Sequence, residues 1–166
     1  RWVHFMYLDN LEFINQFKKL VLNKKKDQFF SADLSRRSIT KIDITKYLNK
    51  LDLLVCSTKE LPSLFKSKKC SEFNNYSLKK LKQLSKFIKY IVVHNKNKSI
   101  GYIDGNLIEV NNKNIVNNKS INITGAGDTY TASLINDLIN NKLIDNKSIL
   151  NAHNLASKFC MGKIKF

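Results

Sequence analysis

The chain has 166 residues, 43% hydrophobic and 25% charged, with five glycines and one proline; that is about one ordinary domain with a real core, and it excludes disorder, low-complexity and collagen-like classes. No apolar run reaches the roughly 18 residues that a membrane-spanning helix needs. The 29 Lys and Arg against 13 Asp and Glu give +16, but only Arg1, Arg36 and Arg37 are arginine, which leaves 26 lysines scattered along the chain. Bidentate phosphate and base recognition leans on the planar fork of Arg, so this balance reads as solvated surface charge rather than a nucleic-acid interface. Cys56, Cys70 and Cys160 are odd in number and far apart, with no C-x-x-C pair and no ligand spacing against His4, His94 or His153. Neither a zinc site nor a disulfide framework is expected, and the compartment reads as reducing and cytoplasmic. The chain opens on Arg1 with no basic segment and cleavage site, so no signal peptide is expected and the opening is what a fragment would show.

Apolar strand-like runs alternate with amphipathic helical ones. Val3 to Leu8 reads as a strand, and Asp9, three residues before Glu12, starts a helix through Leu22 with Leu11, Ile14, Phe17, Val21 and Leu22 at helical spacing. Gln28 to Leu34 is a second strand. Asp43 caps a short helix ending at Leu48, and Leu51 to Cys56 is a third strand. Thr58 begins a short helix, and a polar stretch spans residues 66–75. Ser77 opens a basic helix with Leu78, Leu81, Leu84, Phe87 and Ile88 on one face, and Tyr90 to His94 is the next strand. Ile100 to Ile103 and Leu107 to Val110 flank Asp104-Gly105-Asn106, a hairpin signal. Repeated strand–helix units imply a mostly parallel sheet in a helix–sheet–helix α/β fold, with an antiparallel hairpin at one edge.

The sharpest local signal is Asn122-Ile123-Thr124-Gly125-Ala126-Gly127-Asp128, which leads into a helix bearing Leu134, Ile135, Leu138 and Ile139. A strand-to-helix turn built from Gly-Ala-Gly lets bare amides converge at the positive end of a helix dipole, which favours a phosphate or a developing oxyanion. Asp128 follows within the first turn. With an ordinary pKa of about 3.9 it is ionised at neutral pH, and beside an anion hole it can take the proton from an attacking hydroxyl. Acidic residues also occur in first turns simply because they satisfy the dipole, and glycine-rich turns are common connectors.

The string Thr124-Gly125-Ala126-Gly127-Asp128-Thr129, followed by an amphipathic helix, resembles the second signature of the PfkB (ribokinase-like) carbohydrate kinases, usually Asp-Thr-Thr-Gly-Ala-Gly-Asp. The resemblance implies transfer of the γ-phosphate of ATP, with Mg²⁺, onto a hydroxyl of a sugar or sugar-like molecule. It makes Asp128 the base, with Gly125, Ala126 and Gly127 as the anion hole and Gly127 also lining the ATP side. Ser57-Thr58-Lys59-Glu60 looks like the family's Asn-x-x-Glu motif, which organises Mg²⁺ and phosphate, with Glu60 retained and Ser57 in place of Asn. Asp33-Leu34-Ser35-Arg36-Arg37 resembles Asp-x-Asn-x-Arg. His94 to Ser99 falls where the family writes a nucleotide-contacting loop, so Lys96, Asn97 and Ser99 are expected on the nucleotide side, with Lys96 and Ser99 at glycine positions. The last helix, with Asn151, Ala152, His153 and Asn154, corresponds to the adenine-side helix. Asn122 and Thr124 fall where many members bind a monovalent cation.

The match corresponds to the C-terminal half of a typical member: a single domain over residues 1–166 that carries the ATP-binding and catalytic portion without the N-terminal strands and lid. A nucleoside acceptor, a degenerate member that binds nucleotide without turnover, and a basic nucleic-acid module remain as alternative readings. The expected partner is a small sugar-like molecule, with neither nucleic acid nor membrane, and homodimerisation is left open.

Overall fold

The structure is a computed structural model that describes residues 1–6, 11–34, 45–70, 72–115 and 123–163. Its strands form one six-stranded sheet in chain order. Two compact units divide the chain, Arg1–Val93 with Gly101–Leu107 and His94–Ile100 with Ile108–Phe166.

In the first unit, β1 (Trp2–Phe5), β2 (Phe29–Ala32) and β3 (Leu53–Ser57) are parallel, with Trp2 opposite Phe29 and Ser31 opposite Leu53. The run Leu53-Leu54-Val55-Cys56 is buried at every position, which is why it is apolar without alternation: both faces of a parallel strand are covered. Helix α1 (Leu11–Leu22) connects β1 to β2 and buries Phe17 and Val21, one turn apart. Phe5 meets Phe17 and Phe30 edge-to-face, with ring centroids 4.7 and 5.3 Å apart. Leu22 departs from the expected buried set and is 78% exposed, because it lies about 100° round the helix from Val21. The carboxylate of Asp52 accepts from Phe30 N–H at 2.6 Å and from the Lys24 ammonium, which fastens the start of β3 to β2.

Helix α2 spans Thr45–Leu48. After β3, residues 57–60 make a turn before α3 (Leu61–Phe65), so the helix expected from Thr58 starts three residues later, with Pro62 in its first turn. A 3₁₀ turn occupies Lys68–Cys70. Helix α4 (Asn75–Leu84) also differs from expectation, since Asn74 is its N-cap and Ser77 sits at the third helical position. Asn74 Oδ1 accepts from Ser77 N–H at 2.9 Å, and Ser77 Oγ accepts from Asn74 N–H at 3.0 Å, a reciprocal capping box built without Glu. The helix stops at Leu84, so Phe87 no longer shares a helical face with Leu81 and is 64% exposed, while Ile88 is buried. Strand β4 (Tyr90–His94) has the expected limits, and its first four residues close this unit's core.

In the second unit the chain reverses through Asn95–Asn97 into β5 (Lys98–Ile103), whose first three residues belong here. Asn95 Oδ1 accepts from the amides of Asn97 and Lys98 at 2.8 and 2.9 Å, a side chain imitating a backbone turn. The expected Asp104-Gly105 hairpin, which belongs to the first unit, joins β5 to β6 (Asn106–Asn111), with φ of 48° and 80° at the two turn residues, the type I′ signature. Helices α5 (Ala126–Asn141) and α6 (Asn146–Cys160) pack on each other. Leu134 and Leu138 of α5 are buried, whereas Ile139 is exposed. Asp145 caps α6 by accepting from Ser148 N–H at 2.8 Å. The expected starts at Asp9 and Asp43, together with Arg36, Arg37, Ile121 and Asn122, lie outside the described residues. Among the described residues no helix is long and apolar enough to cross a membrane.

Candidate active site

Helix α5 begins on Gly125, whose φ of 87° is open to glycine and strained for any other L-residue. A Cβ there would also stand 3.2 Å from the Phe159 ring. This glycine is therefore required by the fold. Gly127 is not. Its φ is not positive, and a Cβ built on it meets nothing within 4 Å. Glycine at a helical position is ordinarily unfavourable by about 0.5–1 kcal/mol relative to Ala. Neither backbone nor packing explains it here, whereas a ligand pressed against the main chain would.

Ala126, Gly127 and Asp128 are the first three helical residues, and helix geometry gives their amides no intrahelical acceptor. The Ala126 amide donates to the Ile123 carbonyl at 3.2 Å, a long bond that a phosphate oxygen is able to replace. Asp128 is exposed in this first turn, and Thr129 is tied back, its amide and its hydroxyl both donating to the Gly125 carbonyl at 2.9 Å. Thr124 is exposed immediately before the glycines.

The remaining expected residues of this unit fall on the β4–β5 turn and on α6. Lys96 and Asn97 are exposed at the tip of the turn. Asn112, buried beyond β6, braces that tip: its side chain donates to the Lys96 carbonyl at 2.8 Å and its amide to the Asn97 carbonyl at 2.7 Å. Asn151 is exposed on α6, and Asn154 Oδ1 accepts from Asn114 Nδ2 at 2.6 Å. Ser99 faces inward instead. Its hydroxyl is buried and lies 2.7 Å from the Tyr130 hydroxyl and 2.8 Å from His153 Nε2, so any nucleotide contact at this position falls to its backbone. Burial drives the Tyr130 hydroxyl pKa far above its ordinary value and holds His153 down at about 4, so both groups are neutral at physiological pH. His94 stacks on the Tyr130 ring with centroids 4.3 Å apart. The sequence reading missed Tyr130 altogether; its one signal was a polar-tipped aromatic, two residues after Asp128, on the apolar side of the helix.

Glu60 belongs to the other unit, at the N-cap of α3. Its carboxylate turns back to accept from Ser57 N–H at 2.7 Å. Ser57 Oγ is a buried polar atom without a hydrogen-bond partner among the described residues. An orphaned hydroxyl beside an oriented carboxylate fits the edge of a hydrated cation or phosphate site. Among the described residues no three His, Cys, Asp or Glu side chains cluster as a metal cage, so a metal here would depend on water and phosphate for its other ligands.

The family model described as pfkB family carbohydrate kinase matches residues 9–161. A search of curated proteins gives no match. Among solved structures, the chain is similar to a pyrophosphate-dependent kinase in the ribokinase family complexed with a pyrophosphate analogue and myo-inositol (21% identity, TM-score 0.65, 97% of this chain and 58% of that one). It is also similar to fructokinase from Vibrio cholerae O395 in its fructose, ADP and calcium-bound form (20% identity, TM-score 0.68, 94% and 52%). A third likeness is to adenosine kinase from Trypanosoma brucei brucei (13% identity, TM-score 0.77, 96% and 51%). The chain thus spans between half and three-fifths of the length of these proteins, and at such identities the likeness is one of fold. With the match covering nearly all of its sequence, the chain belongs to the pfkB family of carbohydrate kinases.

Proposed function

We propose that this chain is the ATP-binding and catalytic portion of a phosphotransferase that moves the γ-phosphate of ATP onto a hydroxyl of a sugar or sugar-like small molecule. One observation carries the reading: an exposed carboxylate, Asp128, stands in the first turn of a helix beside Gly127, a glycine that the fold itself does not require. The anion-hole amides come from the Gly125–Gly127 segment and Asp128 takes the proton of the attacking hydroxyl. Phosphoryl transfer asks little covalent chemistry of the protein, so positioning and charge stabilisation dominate. Lys96, Asn97, the Ser99 backbone, Asn151 and Asn154 make up the nucleotide side. From the family resemblance, Glu60 and Ser57 would hold a hydrated Mg²⁺, which would supply neutralising charge for phosphate. Asn122 and Thr124 are the candidate ligands of a monovalent cation.

The test is a coupled kinase assay on the complete protein with fructose, myo-inositol and adenosine as acceptors. Asp128→Asn keeps the size and the helix but cannot accept the proton, and turnover should fall roughly 10²–10⁴-fold. Unchanged turnover would remove Asp128 from the role of base. A second reading is a family member that holds nucleotide without turning it over. The inward-facing Ser99 side chain at a family glycine position and Ser57 in place of Asn favour it. Calorimetric ATP affinity with no phosphorylated product from any acceptor would select it.

A further inference from the structure

The hydroxyl of Ser99 is the meeting point of three segments. Ser99 lies on β5, two residues after the turn tip at Asn97; Tyr130 lies on α5, two residues after Asp128; and His153 lies on α6, between Asn151 and Asn154. Every residue assigned above to the nucleotide side or to proton transfer in this unit sits within three positions of one of these three, or within five for the glycines at the helix start. The three side chains are buried, and their polar atoms satisfy one another: Ser99 can accept from the Tyr130 hydroxyl while donating to a neutral His153 Nε2.

The geometry fixes what this bridge does to the helix. Successive residues turn about 100° round an α-helix, so Asp128 and Tyr130 are about 200° apart, on nearly opposite sides. Tyr130 and Leu134, one turn apart, are both buried, while Asp128 is exposed. Leu134 and Leu138 fix the rotation further along the helix, and whatever holds the Tyr130 hydroxyl inward extends that rotation to the first turn, where it carries Asp128 outward. His94, stacked on the same ring, fixes the tilt of the phenol but offers no hold along its axis.

We propose that Ser99 is a positioning residue: through Tyr130 and His153 its hydroxyl holds the first turn of α5, and with it Asp128, in register with the β4–β5 turn. The catalytic part of this statement rests on the phosphotransferase reading; the structural part does not. In the resemblance to the family this position is a glycine, which has no side chain with which to form such a clamp.

The experiment compares the complete protein with Ser99→Ala, Tyr130→Phe and the double variant, by two readouts at a temperature where circular dichroism shows each folded. The first is amide hydrogen exchange over residues 129–131, where protection begins with the Thr129 amide bonded to the Gly125 carbonyl, measured without ligand and expected to quicken about tenfold in each single variant. The double variant should be no faster than Ser99→Ala, which already deletes the one bond that Tyr130→Phe removes. The second readout is turnover with ATP and the best acceptor, expected to show kcat lowered about tenfold with the acceptor KM unchanged. A lowered Tm with exchange at 129–131 and kcat both unchanged overturns the proposal, as does additivity in the double variant. Should the unsubstituted protein phosphorylate no acceptor, the phosphotransferase reading falls on its own and exchange alone decides the clamp. If Ser99→Ala does not fold, Tyr130→Phe, which keeps the ring and its stack on His94, carries both readouts.

Discussion

Replacing Gly127 with alanine separates what the fold needs from what a ligand needs. A Cβ at this residue meets nothing within 4 Å and the backbone is helical, so the substitution introduces neither clash nor strain. Alanine is better than glycine in a helix by about 0.5–1 kcal/mol, with the lower end expected in a first turn. For a chain of this size that raises Tm by about 1–3 °C. The same methyl group would project into the space where a phosphate must approach the main chain, and loss of one oxyanion donor costs on the order of 3–4 kcal/mol, or about 10²–10³ in turnover. Gly127→Ala should therefore melt later and phosphorylate at least about a hundredfold more slowly. Differential scanning fluorimetry and a coupled kinase assay read the two effects on one preparation. Gly125→Ala is the contrasting control: with φ at 87° and the Phe159 ring 3.2 Å from the new carbon, it should be destabilised by about 1–2 kcal/mol before any ligand is considered. A Gly127→Ala variant with full turnover would show that the bare amide touches nothing during the reaction, and the anion-hole argument would fail with it.

Acidification should weaken the second unit through His153. Its pKa is about 4 folded against about 6.5 unfolded, so between those values the unfolded chain binds the extra proton; stability is complete above about pH 6.5 and falls as pH drops toward 4, by at most about 3 kcal/mol. Asp145 acts in the same direction lower down, because hydrogen bonds from Ser148 hold its carboxyl below the ordinary value and the α6 cap is lost as that group protonates. Urea midpoints across pH 7 to 4 measure the slope, and His153→Gln should flatten its upper part; an unchanged slope would show that the buried ring is not the titrating group. Asn74→Ala removes one side of the α4 capping box and should cost about 1 kcal/mol with turnover unchanged, read by thermal melts. Asp128→Asn should leave Tm within about 2 °C of the parent, since the residue is exposed, while turnover collapses.

The amino-acid sequence alone determined the features that depend on near neighbours in the chain. Tyr90 to His94 is apolar enough to be a strand in any context, Asp104-Gly105 carries its turn in its own dihedral preferences, and Gly125 marks a helix start because few other residues reach its φ. Helix limits were less legible where local chemistry offered two answers: Asn74 and Ser77 are both good caps, and only the reciprocal bonds they form decide between them. The tertiary structure alone decided the direction of Ser99, which the motif placed toward nucleotide and the fold turned onto Tyr130 and His153, 31 and 54 residues away. A buried hydroxyl goes where it finds partners, because an unpaired one costs about 1–3 kcal/mol, and partners so distant in sequence leave no periodic trace. Gly127 stood out in the sequence through its motif, but only the structure shows that the fold leaves empty space around it and does not itself require a glycine there.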